Sequence, residues 1–348
     1  MQNLFLFFGS FIVAFFGVLA IRKLSLQNSW YSSPSLDRWH KSPTALLGGV
    51  GFIPIILFFQ FLVLINQPLS TPILGFSLIL GAMLMFLLGL IDVIWPTGPI
   101  IKLLLQIAAA SIFIHTGGLL NLTTYAIINI LLTYLWFIVI INSLNMLDNM
   151  DGLAIGVAFI SILSLVLISI SPLGNNPLII QFGIIMLGSF SAFWLFNNNP
   201  ASIFMGDSGS LSIGFILAAL AIPSDLNFNF GLSSNSVVDS LLLILILLAL
   251  LSVQLVDFIF VTINRLLKGK KPYVGGKDHT SHSLVKLGMS DKQAVILLYF
   301  FGFIGGILAI LLKYFKEQVL IYGIIYFIIL SFFAIYLSIK VEKNINLN

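Results

Sequence analysis

The sequence predicts an all-α polytopic membrane protein, and three observations carry that reading. Of its 348 residues 59% are hydrophobic and only 8% charged, where a soluble domain carries about 25% charge. Apolar runs long enough to cross a bilayer, which takes about 20 residues, recur along the whole chain. Lysine and arginine fall almost entirely in alternate connections between those runs.

Eleven transmembrane segments are expected, at 3–22, 48–66, 73–94, 100–117, 124–143, 153–171, 177–196, 210–223, 239–262, 293–313 and 319–339. The first has no small-residue cleavage signature and reads as a retained helix, not a signal peptide. The second opens on Gly48-Gly49, the third closes on Asp92, and the fourth opens with Lys102. The fifth runs into the polar stretch 142–154, the seventh into 197–210, and the ninth contains Asp257. The eighth is short, and no run of spans repeats. Numbering the connections alternately gives one side Arg22, Lys23, Arg38, Lys41, Lys102, Lys340, Lys343 and the seven cations between Arg265 and Lys292, and the other only Lys313 and Lys316. Fourteen against two puts the N-terminus outside and the C-terminus in the cytoplasm. The chain then forms one integral membrane domain, 1–348, whose cytoplasmic segments 35–49, 89–102, 142–154, 197–210 and 264–292 hold nearly all its unusual residues.

The absence of cysteine excludes disulfides and thiolate chemistry. The net charge of +4 is small, and no nucleic-acid partner is expected.

Charge beside an apolar helix is costly without a partner or a task. In Asn142-Ser-Leu-Asn145-Met-Leu-Asp148-Asn-Met-Asp151-Gly152 an Asn or Asp recurs every third residue. On a helix that step keeps side chains on a slowly drifting face, so these four should line one wall, with Gly152 turning the chain. A calcium loop is excluded: with Gly152 sixth, Leu147 falls first and Ala158 twelfth, where carboxylates are required. A helix-end cap accommodates one Asp, not four such residues.

Asp207, in Phe204-Met-Gly206-Asp207-Ser-Gly209, precedes an apolar helix, a setting that suits phosphate or an N-cap. Asp92 has Lys102 one short loop away as a partner. Asp257 stands two turns before Arg265, as an ion pair or as a site residue. His279 and His282 lie three apart in the longest cytoplasmic loop, with no further His or Cys near enough for zinc. The carboxylates suit a hard cation such as Mg²⁺, and the imidazoles suit phosphate.

Taken together, these segments resemble the polyprenyl-phosphate N-acetylhexosamine-1-phosphate transferases. The resemblance rests on Asn-x-x-Asn-x-x-Asp-x-x-Asp-Gly-Leu-Ala at 142–154, on Asn-x-x-Pro-Ala-x-x-Phe-Met-Gly-Asp-x-Gly-Ser at 197–210, and on Arg38-x-His40-x-x-Pro43-Thr44 with Gly48-Gly49. The Asp257-to-Arg265 spacing and Asp278-His279-Thr280-Ser281-His282 extend it. Two departures stand out. Val93 replaces the second acid of the family's Asp-Asp pair, and the triple-His run of the phospho-MurNAc-pentapeptide translocase branch is missing.

The resemblance implies transfer of an N-acetylhexosamine-1-phosphate, GlcNAc-1-phosphate first among them, from a UDP-sugar to polyprenyl phosphate in a bacterial cytoplasmic membrane. It implies Mg²⁺, or Mn²⁺, on Asp207, with Asp92 and Asp148 orienting the acceptor phosphate or taking its proton. Asn145, Asp151, Asn197 and Phe204 would hold the nucleotide, and Lys41, His279 and His282 would meet phosphates. The translocase reaction is the alternative within the family. An ion-coupled transporter is the alternative outside it, disfavoured because its acids would lie near the bilayer midplane in repeated halves. The sequence leaves a homodimer open.

Reporter fusions at Leu232 and at Lys277 should report opposite sides of the membrane. The same side for both would break the span count between them.

Overall fold

A computed structural model describes residues 1–32, 44–67, 72–170, 177–222, 237–273 and 275–347. Thirteen helices and one short strand pair make up the described residues. The helices are α1 (Gln2–Gln27), α2 (Gly48–Ile65), α3 (Pro72–Ile94), α4 (Pro99–His115), α5 (Ala126–Leu147), α6 (Leu153–Ser169) and α7 (Pro177–Asn197). They continue as α8 (Asp207–Ala221), α9 (Val237–Leu250), α10 (Ser252–Leu267), α11 (Thr280–Lys286), α12 (Asp291–Phe315) and α13 (Glu317–Leu347). In hydrocarbon every backbone N–H and C=O must be satisfied within its own segment, so runs of Leu, Ile, Val and Phe adopt helix despite their β-branched content. Pro99 sits in the first turn of α4, where its missing N–H is harmless. Ser290 and Gln293 form a capping box at the start of α12.

Every expected segment is helical. Seven helices are long and apolar enough to cross a membrane, and α9 with α10 would make an eighth; α4, α6 and α8 are apolar but shorter. Two boundaries need correction. The eighth segment begins at Asp207, not 210, and ends at Ala221. The ninth is broken: α9 and α10 meet at Leu251 with a bend of 84°. No Pro or Gly marks the break; tertiary contacts hold it. The Leu250 carbonyl, released from helical bonding, accepts from Ser161 Oγ on α6 at 2.9 Å. Ser252 Oγ bonds Tyr326 Oη on α13 at 3.0 Å. Beyond the bend α10 is two-faced, with Ser252, Val253, Asp257, Val261 and Arg265 buried and Ile259, Ile263, Leu266 and Leu267 exposed.

The strands β1 (Tyr31–Ser32) and β2 (Thr44–Ala45) pair antiparallel, a small addition to the all-α expectation. Ala45 also bridges Ile203 in parallel. The chain stays in register past that bridge: Phe204 N donates to Ala45 O, Gly48 N to Phe204 O and Gly49 N to Met205 O, at 2.8–2.9 Å. The segment before α8 is thereby tied to the start of α2.

Helix α8 is the buried pillar, with every residue from Ser208 to Ala221 inside. Its first turn is approached from two sides by glycine. A Cβ on Gly49 of α2 would lie 2.4 Å from Gly209 N, and one on Gly89 of α3 would lie 2.2 Å from Ser208 N. Backbone cannot rotate away as a side chain can, so Gly89→Ala should push α3 off α8. We expect a loss of roughly 1–3 kcal/mol, in the range of core overpacking, read as a lowered melting temperature in detergent. An unchanged melting point would contradict the packing described.

Candidate active site

The polar residues converge where helix ends meet: the C-terminal ends of α3, α5 and α7, and the starts of α4, α6 and α8. Asp207 stands first in α8, after Gly206 at φ 72°. Its Oδ1 accepts from Asn145 Nδ2 at 3.0 Å, and its Oδ2 from Lys102 Nζ at 2.7 Å. Asn145 also donates to Ser210 Oγ at 2.9 Å. Lys102 bridges to Asp92 Oδ2 at 2.8 Å. Thr97 fixes Asp92 Oδ1 through its backbone N–H at 2.7 Å and its hydroxyl at 2.6 Å. Asp92, Lys102 and Asp207 keep 20%, 26% and 29% of their side chains exposed, so the network is open to an incoming ligand.

The four residues of the 142–151 stretch do not form one wall, because α5 ends at Leu147 with Asp148 as its C-cap. Asn142 exchanges amide hydrogen bonds with Gln106 of α4 at 2.8 and 3.3 Å. Asn145 turns to Asp207. Asp151 lies past the helix end, where its Oδ2 accepts from Ala201 N at 2.9 Å and Asn199 Nδ2 at 3.2 Å. Asp148 is half-buried. Burial, then the charges of Asp207 and Asp151, push its carboxyl up to about 7 against the pull of the Gly206 amide. Its ionisation is disfavoured in the folded chain, so this group lowers stability as pH rises from 3.8 through about 7.

Asn197 is buried, and both ends of its amide are engaged: Oδ1 accepts from Gly152 N at 3.1 Å and Nδ2 donates to Ile203 O at 2.9 Å. These two bonds hold the Gly152 and Ile203 segments against Asn197. Gly152, at φ 76°, receives Tyr299 Oη on its carbonyl at 2.5 Å. Phe204 is half-buried beside Ala45. Lys41, and with it Arg38 to Pro43, lies outside the described residues.

Of the two readings of Asp257, the ion pair with Arg265 does not form: each has another partner. Asp257, fully buried, accepts from Thr280 N at 2.8 Å and Thr280 Oγ1 at 2.6 Å, and bonds His279 Nδ1 at 2.8 Å. Arg265 instead makes a bidentate pair with Asp278, both contacts at 2.7 Å. Two groups on one face of α10 thus grip three consecutive residues, and the helix spacing matches that loop better than it matches an i, i+8 contact. His282 is buried. Burial and the neighbouring His279 bring its pKa down to about 4, so near neutrality it is an uncharged imidazole. Ser281 Oγ donates to Asn149 Oδ1 at 2.7 Å, which ties α11 to the Asp148 loop.

Sequence reasoning missed Thr97, Ser210, Asn149 and Tyr299 as parts of this site, and gave Lys102 only a local partner. A single lysine at the head of an apolar span was the available signal; the others look like ordinary polar residues until the helices pack.

Among the described residues no three His, Cys, Asp or Glu side chains gather closely enough to cage a metal. The oxygens present fit a different arrangement. Each Asp207 oxygen keeps a lone pair beyond its one hydrogen bond, and Mg²⁺ is held by one or two carboxylates with water and phosphate oxygens completing the octahedron.

The acids and their partners thus form a cluster open to solvent at one end of an apolar helical bundle. Residues 75–225 match the model of glycosyl transferase family 4. The chain is 27% identical over 318 residues to a probable undecaprenyl-phosphate N-acetylglucosaminyl 1-phosphate transferase of Bacillus subtilis, covering 87% of this chain and 84% of that one. It is 27% identical over 316 residues to a decaprenyl-phosphate N-acetylglucosaminephosphotransferase of Mycolicibacterium smegmatis, covering 83% and 76%. A phospho-N-acetylmuramoyl-pentapeptide-transferase of Synechococcus is 32% identical over 240 residues, covering 62% and 64%.

A hydrophobic carbodiimide reacts with a protonated carboxyl, so Asp148 should be labelled below about 7 and resist above it. Asp151→Asn removes a charge that raises this pKa, and the loss of labelling should move to lower pH. A labelling profile centred near the ordinary 3.8 would show that Asp148 does not sit in this field.

Proposed function

We propose that this protein transfers a sugar-1-phosphate, GlcNAc-1-phosphate being favoured, from a UDP-sugar to a polyprenyl phosphate, releasing UMP. The observation that carries the reading is the Asp92–Lys102–Asp207–Asn145 network with Asp148 held near neutrality beside it. The names of the relatives over most of the chain support the reaction class. The positive-inside count supports a site on the cytoplasmic edge, N-terminus out and C-terminus in, of a bacterial cytoplasmic membrane. There a lipid acceptor keeps its chain in the bilayer while its phosphate reaches the acids.

Phosphoryl transfer depends on neutralising charge and on alignment more than on covalent help. Asp207 is the proposed ligand of Mg²⁺, which when bound would supply charge neutralisation at the diphosphate. Lys102 holds Asp207 and Asp92 in mutual orientation. Asp148, with a pKa near 7, is suited to accept the proton of the acceptor phosphate. Asn145, Asp151 and Phe204 border the nucleotide space. His279, fixed through Nδ1 by Asp257, directs its remaining ring nitrogen to phosphate. Val93 is 47% exposed, and Asp92 is oriented by Thr97 and Lys102 without an acid at 93.

The measurement is UMP release from UDP-GlcNAc and related donors with undecaprenyl phosphate. Asp207→Asn should abolish it with folding intact, a loss of several kcal/mol of transition-state stabilisation; near-normal turnover at saturating Mg²⁺ would refute the metal assignment. EDTA should stop the reaction, Mg²⁺ or Mn²⁺ should restore it, and zinc should not. Asp92→Asn should nearly eliminate release while Val93→Asp is tolerated. No release by the wild type across the panel, with release switched on by Val93→Asp, would mean the present chain has lost the activity.

A further inference from the structure

Two groups proposed to meet phosphate come from distant parts of the chain. Asp148 is the C-cap of α5, and His279 is the N-cap of α11. Apolar packing brings their segments together. Leu284 of α11, Phe260 of α10, and Leu147 and Leu153 on either side of the Asp148 turn share one buried cluster, with Met146 and Met150 packed against it. Such burial has no direction. It fixes that the segments are close, not how they are registered.

A hydrogen bond supplies the register. Ser281 Oγ donates to Asn149 Oδ1 at 2.7 Å, across 132 residues of sequence. Both ends are themselves held. Asn149 Nδ2 donates to Met146 O at 2.8 Å, one of the last carbonyls of α5, which have no partner within the helix. That bond fixes the amide plane and with it the direction in which Oδ1 faces. Ser281 is fully buried and follows Thr280, whose N–H and hydroxyl donate to Asp257 at 2.8 and 2.6 Å. A serine inside a helix commonly returns its hydroxyl to a carbonyl one turn back, as Ser111, Ser169 and Ser191 do. Ser281, second in α11, has no helical carbonyl behind it and reaches across to α5. Asn149 adjoins Asp148, and Ser281 is two residues from His279, so the bond is a short link between the two groups.

We propose that Ser281 and Asn149 are positioning residues for the transfer: their bond sets the spacing between His279 and Asp148, the one facing a phosphate and the other taking the proton of the acceptor phosphate. The inference rests on the reaction proposed above. Neither residue touches a reacting atom; each acts through its neighbour. Without the bond the donor still binds, because Asn145 and Asp207 are held by other contacts. What is lost is the alignment of acceptor and diphosphate on which phosphoryl transfer depends.

The test uses the full-length protein in nanodiscs, with UMP release measured per folded molecule. Ser281→Ala should lower kcat roughly 10- to 100-fold, the scale of a misplacement of about 1 Å, and leave KM for UDP-GlcNAc near the wild-type value. Asn149→Ala should lower kcat at least as much, since it also removes the bond to Met146 O. The double variant should be no slower than Asn149→Ala alone, because both changes break the same bond. Losses that multiply in the double variant would overturn the pairing, and a raised KM with unchanged kcat would overturn the positioning role. A second readout needs no turnover. The chain has no cysteine, so spin labels can be confined to Asn198→Cys, beside Gly152, and Lys286→Cys, exposed on α11. Their distance distribution by pulsed EPR should be narrow, and should widen when Ser281→Ala is added. An unchanged distribution in an active enzyme would overturn the positioning role alone. A wild type that releases no UMP from any donor would overturn the reaction, and the positioning role with it.

Discussion

Three carboxylates cannot be set at the end of an apolar helical bundle unless something holds them there. Lys102 is that constraint. Its ammonium lies 2.8 Å from Asp92 and 2.7 Å from Asp207, and it comes from the first turn of α4, between the helices that carry them. Losing one partner of such a pair leaves an uncompensated charge in a partly desolvated place. Asp148 answers differently, by holding its proton to about 7. Two acids share the single charge of Lys102 and the third is held towards its protonated form, which leaves a residual negative charge for a cation to neutralise.

The positions of these groups depend on α8 in turn. Its first turn fits against α2 and α3 because Gly49 and Gly89 leave backbone against backbone, and its preceding segment is laced to β2 and the start of α2 by main-chain bonds. Asp207 is therefore fixed by three elements that share no sequence neighbourhood. The α10–α11 unit is built on a similar plan. The bend at Leu251 redirects α10, and Asp257 and Arg265 on it grip Thr280, His279 and Asp278. Ser281 then carries that clamp across to Asn149. The imidazole loop and the Asp148 loop are thus mechanically one piece.

The missing acid at 93 has a physical reading within this arrangement. Asp92 takes its orientation from Thr97 and Lys102, both in the short α3–α4 connection or just beyond it. An acid at 93 would add charge at an exposed position, and no contact that fixes Asp92 passes through it.

The sequence by itself determined the helical membrane architecture, because hydrocarbon allows little else to a chain with 8% charged residues. It also located the five polar segments and most of the residues that now stand together, since acids beside apolar spans are too costly to be incidental. What it could not determine is who meets whom. Spacing suggested Asp257 with Arg265, and the fold gave each a different partner in the same loop. A step of three suggested one wall from Asn142 to Asp151, and the end of α5 at Leu147 dealt the four residues to Gln106, Asp207, Gly206 and Ala201. The 84° bend left no local mark, because the groups that satisfy it, Ser161 and Tyr326, lie on other helices. Burial preference is written residue by residue and can be read there; a hydrogen-bond partner between helices is chosen by packing, and only the tertiary structure decides it.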